Sequence, residues 1–450
     1  MWHFREFIFR MFSEFVVKFA PLNITLNSNY MKHTLKGTRI GLFLLLISAQ
    51  SVFSQNSLDD YLKAARENNP AIKENQAQTE KAGIQKNIVK AEHTAPKVSL
   101  NGDLNYSPLF PNKNDPKAIG YDVAVTDGGL FAALLNVRQP IFNKSTTETL
   151  NKQATLVGET GTNKAKVTLH QLEKEVTDQY ILSYQSLKQI DFVTNLRDQL
   201  LKQKEIIETF ATKGIYKRSD ILLIDIEIQN KNTELSNLQA IYNRNIYKLN
   251  DLCGISTNNN IKLTEPILEI KSEIQQSQFL EQFRLDSLKE VADLQVANLK
   301  YKPQFNLYGN TGLMAIELDG IQRKFGFGVG ATMAIPLYDG NQKKYTRQQT
   351  DLNLRVIDNY KQNFRIQKSN RQQAILSDLN SIEQRNNQIR LQLTNFEKLL
   401  EIYKIDLQTG ELQLINYLNA IKSYTDAKNS LTISETNKLL IINENNYYNW

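Results

Sequence analysis

The chain has 450 residues, of which 41% are hydrophobic and 22% charged, with only 19 glycines and 10 prolines. Because so few residues favour turns, the composition predicts long regular elements rather than many short ones. The formal net charge of +7 falls to +3 without residues 1–54, which gives no argument for nucleic-acid binding. One cysteine and four histidines argue against a disulfide framework and a Cys/His metal cluster.

The N-terminus has the pattern of an export signal. Residues 31–54 begin with basic side chains and continue with an apolar run, residues 40–47, that is too short to span a bilayer as a helix. We predict a signal peptide that is cleaved after Ser54, with an N-terminal core helix as the alternative. We also predict that residues 1–30 are an over-long start and that translation begins at Met31.

The remaining chain is predicted to contain two structural repeats. The first repeat covers residues 55–253, the second covers 278–450, and residues 254–277 form an equatorial linker between them. Each repeat is expected to hold two strands followed by two long helices. The first has strands at about 97–107 and 129–140 and helices at about 144–213 and 215–253, and the second has strands at about 303–313 and 325–337 and helices at about 341–409 and 411–442.

Residues that interrupt regular structure recur at a common offset, which is the evidence for this internal duplication. Pro140 and Pro336 both end an alternating apolar run and are 196 residues apart, and Gly214 and Gly410 are separated by the same distance. A shared offset between two different kinds of breaker residue indicates two copies of one unit.

The predicted strands alternate between apolar residues and small or polar residues. In residues 325–335, aromatic and aliphatic side chains alternate mainly with glycine, so one face of the strand is apolar. Each alternating run has about ten residues, which is the length of a tilted membrane-spanning strand. A half-buried sheet in a soluble sandwich is the alternative. No apolar stretch after Ser54 approaches the roughly 20 residues of a spanning helix, so a membrane crossing would require strands.

The long helices are predicted from runs without glycine or proline. Residues 341–409 form such a run, and as one helix they would measure about 100 Å. Their apolar residues fall at alternating steps of four and three, which is typical of a coiled-coil seam. The seam consists of Ile375, Leu379, Ile382, Asn386, Ile389, Leu393, Phe396, Leu400, Tyr403 and Leu407.

The order of these features resembles the TolC family of outer-membrane efflux proteins. The resemblance rests on the duplication, on the glycine-centred hairpins and on "IPLYDGNQKK" (Ile335–Lys344), which is similar to the strand-to-helix signature of that family. The first copy departs from the signature at Asn143 and Lys144. The resemblance implies an α+β fold, in which an all-long-helix periplasmic α-barrel is continued by a transmembrane β-barrel, with four strands per chain in a homotrimer.

The same resemblance implies a function. The chain would be a passive channel in the cell outer membrane, in contact with its lipid, and part of a tripartite efflux or type I secretion system. Its partners would be a periplasmic adaptor (membrane fusion protein) and an inner-membrane pump of RND or ABC type. It implies no enzyme activity, no cofactor and no nucleic acid. The alternative is a periplasmic coiled-coil adaptor or scaffold, against which two equal repeats argue.

Two hairpin tips are the candidate functional site. Residues 210–225 and 406–420 resemble the tip hairpins of the family and are centred on Gly214 and Gly410, each of which also fits an ordinary helix C-cap. The resemblance places a periplasmic gate at Asn416, Asn419, Asp220 and Ser219, with amides where the second tip of the family commonly has aspartates. Three cations at the first tip are expected either to contact the adaptor or to form a solvated helix end, namely Lys213, Lys217 and Arg218.

Overall fold

The computed structural model describes residues 57–107, 128–256, 263–272 and 277–450. The predicted signal peptide and over-long start lie outside the described residues, as do parts of the predicted linker. In chain order the elements are α1 (Leu58–Asn68), α2 (Pro70–Thr94), β1 (Lys97–Ser107), β2 (Gly128–Ile141), α3 (Lys144–Thr212), α4 (Arg218–Cys253), α5 (Gln278–Ala297), β3 (Gln304–Ala315), β4 (Phe325–Ala334), α6 (Gln342–Thr409) and α7 (Leu414–Tyr448).

Local sequence explains where several helices begin. The Ser57 hydroxyl accepts from the backbone N–H of Asp60, and the Asp60 carboxylate accepts from the Ser57 N–H, which is a capping box at α1. Helix α2 has Pro70 at its first position, and the side chain of the preceding Asn69 accepts a hydrogen bond from the N–H of Ala71. At α6, the carboxylate of Asp339 accepts from the N–H of Lys343 and from the hydroxyl of Tyr301.

Four predicted boundaries differ from the structure by three residues or more. Helices α4 and α7 begin at Arg218 and Leu414 rather than at 215 and 411, because a bend and then an extended N-cap residue follow each glycine. Helix α7 also continues to Tyr448 rather than ending at 442. Strand β4 ends at Ala334 rather than at 337, since Ala334 is opposite Gln304, the first residue of β3, and Pro336 has no N–H to donate.

The four strands form one antiparallel sheet in the order β1-β2-β3-β4. Its register places apolar residues opposite one another, so that a single apolar face crosses all four strands. Val98 is opposite Val137 and Leu104 is opposite Phe131 on the β1–β2 side. Among the described strands, β1 and β4 each have a neighbour on one side only, so the sheet has two open edges.

The helices pack side by side along their lengths. Helix α3 contacts α2, α4, α5 and α7, and α6 contacts α5 and α7. None of the described helices is both long enough and apolar enough to cross a membrane. The buried side chains gather in two main clusters, of which one lies at the far ends of the long helices and the other lies midway along α3.

The midway cluster, which we call the tyrosine cluster, joins α1, α3, α4 and the described part of the linker. The Tyr180 hydroxyl donates to the carbonyl of Thr264 at 2.7 Å, which fixes the linker to α3. Cys253 is fully buried there, and burial raises the pKa of its thiol to about 12, so the thiol stays protonated at neutral pH. The fully buried core members are Tyr61, Val176, Tyr180, Leu249 and Cys253.

Candidate functional site at the hairpin tips

Both hairpin glycines end a helix with the same backbone geometry. Gly214 and Gly410 have φ values of +81° and +78°, in the left-handed region that glycine adopts without strain. The N–H of Ile215 donates to the carbonyl of Phe210 at 3.1 Å, and the N–H of Glu411 donates to that of Asp406 at 2.9 Å. Each is the long-range bond of a Schellman motif, so each glycine occupies the left-handed position that terminates a helix.

The two tips touch each other. A Cβ atom added to Gly410 would lie 2.6 Å from Cγ2 of Ile215, whereas one added to Gly214 would meet no atom within 4 Å. The Tyr216 hydroxyl donates to the carbonyl of Leu407 at 2.7 Å and lies 3.3 Å from that of Leu412. The first tip is therefore joined to the second by the close packing of the Ile215 side chain on the backbone at Gly410 and by a hydrogen bond.

A cluster of buried side chains lies beneath this contact, and we call it the tip cluster. Both hairpins contribute to it, and Leu407, Leu414 and Tyr417 are at most 1% exposed. Burial of this kind fixes the two hairpins relative to each other within one chain. The buried members are Leu196, Leu200, Ile207, Tyr216, Ile224, Ile228, Leu400, Leu407, Leu414, Tyr417, Ala420 and Ile421.

Burial shifts the titration of the tip tyrosines. It raises the pKa of Tyr216, and the negative charge of Asp220 raises that pKa further. Burial likewise raises the pKa of Tyr417 to about 12, with a smaller effect from Glu401. The Tyr216 hydroxyl is thus protonated at neutral pH, as its role as a hydrogen-bond donor requires.

The predicted gate residues have different surroundings. Asn416 and Asn419 are both exposed on one face of α7, on either side of the buried Tyr417. Ser219 is exposed on the first turn of α4. Asp220 is half-buried, and its carboxylate accepts from the backbone N–H of Lys217 at 2.8 Å, so it caps the start of α4.

The three predicted cations are exposed at the first tip. The ammonium of Lys213 lies 5.4 Å from the centroid of the Phe210 ring, which is a cation–π contact within one turn of the end of α3. Lys217 and Arg218 flank the start of α4. A cation at the end of α3 complements the partial negative charge of its last carbonyls, so Lys213 fits the solvated-end alternative.

No protein-family model matches the sequence, and a search of curated proteins finds no match. Solved structures do match, and the outer-membrane channel OprN aligns with 87% of this chain and 90% of its own, at a TM-score of 0.67 and 12% identity. The outer membrane protein VceC from Vibrio cholerae aligns with 87% of this chain and 96% of its own, at a TM-score of 0.67 and 14% identity. The outer membrane channel CmeC from Campylobacter jejuni aligns with 87% of this chain and 85% of its own, at a TM-score of 0.66 and 13% identity.

The chain has the TolC-type outer-membrane channel fold. At identities of 12–14% this similarity establishes the fold, and the predicted resemblance to the TolC family is confirmed at that level. The described residues contain long helices and four strands, as predicted, and the strands form one antiparallel sheet.

Tyr216 joins the two tips and was not predicted from the sequence. Leu412 is 196 residues after Tyr216 and is therefore the equivalent position in the second repeat. The first repeat has an aromatic hydroxyl where the second has an aliphatic side chain. This departure from the repeat, two residues after Gly214, is the one signal in the sequence that marks it. Within the described residues there is no group of three or more His, Cys, Asp or Glu that could hold a metal ion.

Proposed function

We propose that this chain is one protomer of a homotrimeric outer-membrane duct, which conducts substrate across the periplasm and outer membrane in a tripartite efflux or type I secretion system. The observation that carries the proposal is the exposed apolar face of the sheet. Phe327 is 85% exposed and Val329 is 82% exposed in the isolated chain. A continuous face of this kind is unfavourable in water and suits contact with lipid.

The open edges of the sheet support assembly from several chains. Four strands are too few to close a barrel, since small barrels need about eight. An open edge in lipid leaves backbone groups without hydrogen-bond partners, at a cost of several kcal/mol each. Three chains related by a rotation axis supply twelve strands, and β1 of one chain then pairs with β4 of the next.

The helices supply the periplasmic part of the proposed duct. Helix α3 has 69 residues and α6 has 68, so each is about 100 Å long. Both halves of the chain present two strands followed by two long helices, and this common order supports the predicted duplication. The similar solved structures are outer-membrane channels, which supports the predicted location in the outer membrane.

The tips would then form the periplasmic end of the duct, where an adaptor and an inner-membrane pump of RND or ABC type dock and supply the energy. We propose that Asn416 and Asn419 line the gate, because both are exposed on one face of the first two turns of α7. Lys213, Lys217 and Arg218 would lie close to the adaptor. Asp220 is engaged in capping α4, so its contribution to the gate is secondary.

The gate assignment predicts that Asn416→Asp introduces cation block of the single-channel conductance, since a ring of three carboxylates attracts multivalent cations. Asn437→Asp is the matched control, because Asn437 is also exposed on α7 but lies about 30 Å from Asn416 along the helix. Equal block in the two variants, or none in either, would remove Asn416 from the gate.

The location is tested by expressing the chain from Met31 and separating the cell fractions. The proposal predicts that the protein is found in the outer-membrane fraction and is released by detergent. Recovery in the soluble periplasmic fraction would instead support the adaptor or scaffold alternative.

A further inference from the structure

A wide groove lies between the sheet and the tyrosine cluster, and four helices line it. Its volume is about 1120 Å³. The lining side chains come from α2, α3, α5 and α6, and each of these helices contacts the next in that order. A single groove can contact all four of these neighbouring helices only on the concave side of the row that they form.

The charges in this groove are mostly positive. Arg284 is paired with Glu281 through two hydrogen bonds of 2.7 and 2.6 Å. Of the remaining charged side chains, four are cations and one, Glu159, is an anion. The four cations come from three different helices and are Lys86, Lys166, Lys361 and Arg365.

Hydroxyl groups also line the groove on α2 and α3. Thr79 and Thr162 lie on facing helices with their hydroxyl oxygens 3.5 Å apart, and the Thr155 hydroxyl donates to a backbone carbonyl of α3 at 2.9 Å. A Cβ atom added to Gly158 would lie 2.8 Å from Cβ of Ala82, so α2 and α3 are in close contact at this level. Cations on both sides of a wall that carries hydroxyls are the groups that bind phosphate, sulfate or carboxylate.

We propose that this groove faces the interior of the duct and binds anionic groups, so that the cargo of this conduit is anionic. The inference rests on the proposed duct, in which three copies of the groove face one lumen. Walls of low dielectric focus the field of such charges into the channel and raise the local concentration of anions. Screening over about 8 Å at physiological ionic strength confines the effect to this level of the duct.

Ion selectivity in planar bilayers tests this inference. The purified protein is placed between unequal KCl concentrations, and the reversal potential gives the chloride-to-potassium permeability ratio. Inorganic triphosphate added to one side probes polyanion binding through block of the current. The test variant is Lys361→Gln with Arg365→Gln, and Lys86→Gln with Lys166→Gln tests the opposite wall. The matched control is Lys164→Gln, an exposed lysine on α3 that does not line the groove.

Each double variant is expected to lower the permeability ratio at least about threefold and to raise the half-blocking triphosphate concentration about tenfold, because removed charges no longer attract the anion. The control is expected to retain both values. A conducting channel in which both double variants behave like the control would overturn the anion groove and leave the duct proposal intact. Absence of any conductance from the unaltered protein would contradict both proposals.

Discussion

The apolar side chains at the two ends of the long helices differ in solvent exposure. At the sheet, Phe325, Phe327 and Val329 are each at least 71% exposed in the isolated chain. At the tips, Ile224 and Leu407 are fully buried in one cluster, although they belong to hairpins that are distant in sequence. The tip end is therefore packed within one chain, whereas in the proposed duct the sheet end is completed by lipid and further chains.

This difference separates folding from assembly. The tip cluster buries its apolar area as each chain folds, and that burial stabilises the protomer. In the proposed duct, the sheet gains its corresponding free energy only when its edges pair with other chains and its apolar face meets lipid. Substitutions at the two ends are thus expected to affect different measurements, with assembly changed at one end and local opening of the protomer at the other.

The largest expected effect comes from a charge on the apolar face of the sheet. Val329→Arg places a guanidinium near the middle of β4, which would cost roughly 2–4 kcal/mol per chain at the bilayer midplane. Thr332→Arg is the matched control, since Thr332 is on the same strand but on the opposite face. Membrane-inserted trimer is expected to be lost in the first variant and retained in the second. Equal yields of trimer would show that the apolar face does not contact lipid.

The glycine contact at the tips gives the next largest effect. Alanine in the left-handed region costs about 1–2 kcal/mol at either glycine. Gly410→Ala must also displace Ile215, whereas the same change at Gly214 meets open space. Hydrogen exchange of tip amides is therefore expected to show the greater loss of protection for Gly410→Ala.

A double-mutant cycle isolates that additional cost. Ile215→Ala removes the atom that the new Cβ would meet, and Ile215 is 46% exposed, so the change alone should alter stability little. The cycle should give a coupling of at least about 0.5 kcal/mol, in the direction in which Ile215→Ala relieves Gly410→Ala. Additive effects would mean that the tips are farther apart than in the structure.

The hydrogen bond between the tips has a smaller effect. Tyr216→Phe removes the donor to Leu407 and should lower the free energy of tip opening by about 1 kcal/mol. Tyr403→Phe is the control, because Tyr403 packs only at the edge of the tip cluster. A loss of equal size in the control would refute a specific role for Tyr216.

The Tyr216 bond also predicts a pH dependence. Burial raises the pKa of Tyr216 in the folded chain above the unfolded value of about 10. The folded state thus favours the protonated phenol, whose stabilising contribution is complete below pH 10 and is lost as the pH rises through the folded-state pKa. An absorbance titration of the unaltered protein minus that of Tyr216→Phe should show one phenol with a midpoint above 10. A midpoint at or below 10 would contradict burial of this hydroxyl.

The sequence predicted the long helices and the strands because their signals are local. Runs without glycine or proline and strict alternation need no knowledge of distant residues. Strand ends were less accurate, since the end of β4 is set by where its partner β3 begins. The role of Asp220 as a cap was also readable in principle, because it stands three residues after Lys217, the N-cap position.

The contact between the tips was not predictable in the same way. Tyr216 and Leu407 are 191 residues apart, and the repeat alone does not show that the two hairpins touch. Packing of α3 against α7 brings the hairpins together, and the hydrogen bond then follows from that packing. A contact of this kind depends on tertiary structure and leaves only the mismatch between Tyr216 and Leu412 in the sequence.

In the proposed duct, the sheet is completed by other copies of this chain. The most direct test is the mass of the particle that detergent releases from the outer membrane after expression from Met31, measured by light scattering with correction for bound detergent. The proposed duct predicts a particle of three chains, in which four strands from each chain close one barrel. A monomer in detergent solution, with the apolar face of its sheet and both edges unpaired, would contradict it.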